Sequence, residues 1–235
     1  MRTTLHLAAV LAIATTVSHA QVTNPDTLIG KPPAPPTHQH LTPNADDLQW
    51  LWQYTRPTPE GNKSALLADN RFAALLKDQL KAPQAFWGVG VPLSEAAATF
   101  LAGPGTIASA DNRHVTITGC VVDHCPQRGL LWLDLGRTSP LLVFAALRWN
   151  EQGHAAEDKD ATFTLYLFPN HELDPQALPD TLKHSLSDWA GHGDCMNPQA
   201  VVAVLVEPDG IPHVMGAIQA GLQNSMCTSV SGTKP

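Results

Sequence analysis

The sequence predicts an α+β fold: an antiparallel β-sheet of about five strands or more, flanked by two main helices and followed by a C-terminal β-hairpin extension. Three observations predict it. Short β-branched or apolar runs, each bounded by turn residues, recur between 113 and 168 and again between 200 and 218. Two other segments place apolar residues at helical spacing. The 235 residues suffice for one good-sized domain with an appendage, and no repeat of domain scale is present.

The N-terminus carries Arg2, an apolar run from Leu5 to Val17, and then Ser18-His19-Ala20. Small residues flank His19 as they do before an export cleavage site, so 1–20 reads as a signal peptide. The run is shorter than the ~20 residues a bilayer span needs, and no later segment is longer, so no membrane span is expected. The expected location is periplasmic or secreted. Residues 21–45 form a Pro-rich linker, in which Lys31-Pro32-Pro33-Ala34-Pro35-Pro36 can keep neither helix nor ladder hydrogen bonds. His38 and His40 follow as surface histidines.

The folded domain is expected over 46–190. Leu48, Trp50, Leu51, Trp52 and Tyr54 make a short helix or buried segment, ended by Arg56-Pro57-Thr58-Pro59-Glu60-Gly61. From Ser64 onward Leu67, Phe72, Leu75, Leu76 and Leu80 mark one amphipathic helix that must stop before Pro83. Phe86-Trp87 then supplies an apolar anchor. Residues 93–105 begin like a helix at Ser94-Glu95-Ala96 and break at Gly103-Pro104-Gly105. Strands follow at 113–119, 129–135 and 141–148, arranged as an antiparallel meander. A polar loop at 150–160 leads to a strand at 162–168 and a helix at 174–189 with Leu178, Leu182, Leu186 and Trp189 on one face. Residues 191–235 form a disulfide-linked extension, with strands at 200–207 and 212–218 joined by Pro208-Asp209-Gly210.

The formal net charge is -7, and loss of Arg2 with the signal takes it to -8. That balance disfavours nucleic acid and suits a basic partner. Export puts the four cysteines in an oxidising compartment, where disulfides are the first reading. Of the three pairings open to them, Cys120 with Cys125 bridges a tight turn, and Cys195 with Cys227 flanks the C-terminal hairpin. Zinc is the rival, with Cys120, Cys125, His124 and His114 as donors, but this spacing is not that of the paired-cysteine sites. A wider metal set of His38, His40, His114, His124 and His192 is subordinate. No nucleophile elbow, phosphate loop or carboxylate pair of catalytic spacing is present. The expectation is a non-enzyme without cofactor, catalytic residues or metal, with Trp50, Trp52, Phe72, Trp87 and Trp149 packing the core.

The order of 72-FAALLKDQLKAPQAFW-87, 114-HVTITGCVVDHC-125, 130-LLWLDL-135 and 141-LLVFAALRW-149 resembles the inhibitors of vertebrate lysozyme, the Ivy family. The resemblance covers about 66–149 and runs more loosely to Trp189. It implies that the loop closed by Cys120 and Cys125 enters the cleft of a c-type lysozyme or another glycan hydrolase, a basic protein, where a histidine meets the two catalytic carboxylates. On that resemblance the partner-binding residues are Val121, Val122, Asp123 and His124. His124 would bond the carboxylates, Asp123 would orient it or meet a basic rim, and the valines would make apolar contacts. The family loop reads Lys-Pro-His-Asp where this chain reads Val-Val-Asp-His, so acid and histidine have exchanged order. A homodimer is left open.

Overall fold

The computed structural model describes residues 48–57, 62–150, 155, 161–191 and 199–222. The signal at 1–20, the linker at 21–45, most of the 150–160 loop, His192, Cys195 and Cys227 lie outside the described residues. The fold is α+β. A 3-10 helix (Leu48–Tyr54) precedes helices α1 (Lys63–Leu67), α2 (Asn70–Gln79) and α3 (Leu93–Ala102). Strands β1 (Ile107–Ala110), β2 (His114–Val121), β3 (His124–Asp134), β4 (Leu141–Trp149) and β5 (Thr162–Pro169) follow. Helix α4 (Asp180–Gly191) then leads to β6 (Gln199–Val206) and β7 (Pro212–Met215).

All seven strands form one sheet in chain order. The sheet is mixed rather than wholly antiparallel, because β5 and β6 pair in parallel. The cause is α4: a helix between neighbouring strands returns the chain to the same end of the sheet, so the next strand must run the same way. The hairpin of β6 and β7, expected as part of an extension, continues this sheet through β5.

The single amphipathic helix expected from Ser64 is two helices. Asp69 interrupts it by capping α2, its carboxylate accepting from Arg71 N at 2.8 Å. The same carboxylate takes the Tyr54 hydroxyl at 2.7 Å and the Arg71 guanidinium, which hold it well below the usual carboxylate range. Arg71 in turn lies 4.5 Å from the centre of the Trp50 ring, tying the 3-10 helix to α2. The helix expected from Asp174 starts later, at Asp180, after Pro175 and Pro179; Asp174 instead closes a turn on Gln176 N at 2.8 Å. With α3 also formed, the sheet has more helical cover than the two main helices expected.

Both faces of the central strands are buried. On the front, α2 and α3 bring Phe72, Leu76, Ala97 and Phe100 against Val115, Ile117, Leu131 and Phe144. On the back, α4 brings Leu182 and Leu186 against Trp132, Val143, Leu165 and Leu205. This explains why β4 reads as an unbroken apolar run: Leu141 to Leu147 are all fully buried, odd positions on the back and even ones on the front. Phe86 fills the front layer, with ring centres 4.9 Å from Tyr166 and 5.3 Å from Phe168. Trp50, Trp52, Trp87 and Trp149 are partly buried against the two cores and Phe72 is buried.

The C-terminal end of α3 sits on the β2–β3 hairpin with no side chain between them. Gly119 and Gly129 are register partners, and a Cβ on either would stand 2.6 Å from Leu101 O or 2.8 Å from Phe100. Those distances are shorter than any packed carbon tolerates. Gly129→Ala is therefore expected to cost about 1–3 kcal/mol in urea unfolding, while Gly216→Ala stays within about 0.5 kcal/mol. At Gly216 the nearest atom to a new Cβ is Gln219 Oε1 at 3.7 Å.

Candidate functional site

The hairpin of β2 and β3 ends in a tight turn. Val121 pairs with His124, which leaves only Val122 and Asp123 as turn residues. Asp123 adopts φ 62, a left-handed conformation that Asp tolerates better than a β-branched residue would. Cys120 pairs with Arg128, so Cys125, Pro126 and Gln127 bulge out of the ladder. Pro126 has no N–H to lose there. Gln127 is buried, and its Oε1 accepts from Trp149 N at 3.1 Å, which anchors the bulge to β4. The Cys120–Cys125 disulfide joins the two strands at the mouth of the bulge, with Cα atoms 4.8 Å apart.

The expected four-residue loop is thus a two-residue turn, and its residues divide. Val121 belongs to the front core at 7% exposure, so it is not a surface contact. Val122 is 55% exposed and Asp123 is exposed beside it at the tip. His124 is exposed as the first residue of β3. Directly opposed residues of an antiparallel pair leave the sheet on the same side, so His124 stands over Val121, flanking the tip. Among the described residues, none hydrogen-bonds its ring.

Two cations at the base of the hairpin escaped the sequence reading. Lys63, at the start of α1, donates from Nζ to Gly103 O, and Gly103 N donates to Cys120 O at 2.7 Å. Burial lowers the Lys63 ammonium to about 8. Arg128 lies opposite Cys120, and burial lowers its guanidinium too. Arg128 was visible as a charge at the head of an apolar strand. Lys63 carried no local signal, because it reaches Gly103 across 40 residues of chain.

The zinc set does not assemble. His114 starts β2 and Cys120 lies near its end, so the rise of an extended strand separates them by ~20 Å. Both sulfurs of the near pair are bonded to each other. Among the described residues, no three His, Cys, Asp or Glu side chains converge as metal ligands. His114 lies instead against the Trp132 ring, with centres 5.4 Å apart, beside Asp134. Asp134 is held below the usual carboxylate range by Arg113, which donates to both its oxygens at 2.7 Å. No helix among the described residues is long and apolar enough to cross a membrane. No protein-family model, curated protein or solved structure matches the chain.

Two measurements check this geometry. The double variant Cys120→Ser/Cys125→Ser should lose roughly 2 kcal/mol, the loop-closure value for so short a ring, and should exchange the Val122 and Asp123 amides faster. Lys63 binds fewer protons folded than unfolded between about 8 and its ordinary value, so stability conferred at this position rises with pH across that window. The melting temperature of the parent should gain on that of Lys63→Met from pH 7 to 10, and a constant difference would refute the burial of the ammonium.

Proposed function

We propose that the chain is a non-enzymatic, exported binding protein of the Ivy type, whose disulfide-closed turn docks into the cleft of a c-type lysozyme or a related glycan hydrolase. The observation that carries this reading is the combination at the tip: Val122, Asp123 and His124 exposed on a turn held by Cys120–Cys125. A preorganised protrusion loses little conformational entropy on entering a cleft. A glycosidase needs both its carboxyl groups free, one as acid and one as nucleophile or base. His124 donates from its ring to one of them, and Val122 makes the apolar contact. Asp123 meets a basic residue of the cleft rim. The net charge of -7 favours encounter with a basic enzyme overall.

A second reading is a non-inhibitory envelope module that shares this architecture. The burial of Val121 favours it, because the tip then offers one exposed apolar side chain rather than two.

Titration of a c-type lysozyme with the purified protein separates the two. The inhibitor reading expects loss of cell-wall lysis at micromolar protein and an inhibition constant raised about 10-fold to 100-fold by His124→Ala, the loss of a charge-assisted hydrogen bond. Lysis unaffected at that concentration leaves the second reading.

A further inference from the structure

Strand β1 is an edge of the sheet: it pairs with β2 on one side, and no described strand lies on the other. The sequence reading passed over it, although Asp111-Asn112, both at positive φ in the turn closed by Arg113 N to Ala110 O at 3.0 Å, is its hairpin signal. The pairing parity is set by Thr118 N, which donates to Thr106 O at 2.8 Å. Residues alternate along an antiparallel ladder, so Ala108 and Ala110 turn their main-chain groups toward β2 while Ile107 and Ser109 turn theirs outward. Among the described residues no strand takes up those outward donors and acceptors, which form a template for pairing.

Beside this edge, on the back of the sheet, runs an open groove of about 750 Å³ between β1–β2 and α4. Ala108, Ala110, Thr116 and Thr118 give it a small-residue floor, and Trp189 lines the helix side. Asp111, Asp180 and Asp188 also line it, the last 3.5 Å from the lining His184, and none of its described lining residues is Lys or Arg. Lys183 engages Asp180 at 2.6 Å from outside the lining. His114 lines the groove at only 7% exposure. Its Nδ1 is 4.0 Å from Asp111 and its Nε2 3.9 Å from Asp134, both beyond hydrogen-bond length. Among the described residues none hydrogen-bonds this largely buried ring, which lines the groove.

We propose that β1 and the groove form a docking site for an extended polypeptide segment bearing lysine or arginine. The segment adds to the sheet as a further strand, bonding the outward groups of Ile107 and Ser109. Its side chains alternate, so every second one turns to the back of the sheet, over Ala108 and Ala110, where small residues leave room. Basic side chains there meet Asp111 and Asp180, and His114 supplies a buried polar contact. The site is separate from the hairpin tip and does not depend on what the tip binds.

The test uses the full chain and an alternating lysine-valine peptide, followed by calorimetry and by amide exchange. The peptide should bind, slow exchange at the Ile107 and Ser109 amides, and weaken about tenfold or more when its alternate amides are N-methylated or when Asp111 and Asp180 are both changed to Asn. Ala108→Trp, which fills the groove, should abolish binding, and an alternating glutamate-valine peptide should not bind. His124→Ala should leave peptide binding unchanged, which separates this site from the tip. Absence of binding, or binding indifferent to N-methylation and to the Asp substitutions, overturns the proposal. So does strong protection of Ile107 and Ser109 in the peptide-free chain, which would mean that another segment or a second copy already holds the edge.

Discussion

The close approach of α3 to the β2–β3 hairpin is the contact on which the rest of the structure depends. Helix backbone meets strand backbone there, and Gly103, Gly105, Gly119 and Gly129 all sit where a Cβ would overlap the opposing chain. The approach brings Gly103 N onto Cys120 O at 2.7 Å and lets Lys63 reach Gly103 from α1. A side chain at any of these positions would lift the helix from the sheet and loosen everything beyond it. The front core, with Phe100 on Trp87 and Phe86, closes over the same contact.

Burial on both faces follows from the same arrangement. With α2 and α3 in front and α4 behind, the central strands have no solvent face, and their apolar residues cannot alternate with polar ones. Charge is confined to the margins. Asp134 sits at the end of β3, neutralised by Arg113, and Glu207 follows β6, where burial raises its carboxyl. Among the described residues, no further strand covers the outer edge of β1, and the hairpin tip is exposed; the two differ in character. The tip is closed covalently, and the β1 edge is exposed beside an acidic groove.

The sheet was largely legible. β2, β4, β5 and β6 lie close to their expected spans, because β-branched and apolar runs between turn residues state their own length, while β3 starts five residues before its expected 129. Strand β1 was not, because Ile107-Ala108-Ser109-Ala110 has one bulky apolar residue and buries little. The split between α1 and α2 was hidden because the apolar spacing continues across it, and only the capping role of Asp69 reveals it. At the candidate site, the nearness of Cys120 to Cys125 was readable from spacing, but the bulge was not, since Cys120 pairs with Arg128 for reasons that lie in β4.

The sequence by itself determined the local pieces: which runs become strands, where proline stops a helix, and that two cysteines close a turn. These are set by neighbours in the chain, through backbone sterics, hydrogen-bond supply and apolar period. The tertiary structure alone decided the direction of β6, the burial of Val121 and the meeting of Lys63 with the hairpin base. Each of these depends on residues far apart in the chain, and distant packing leaves no periodicity in the sequence to read.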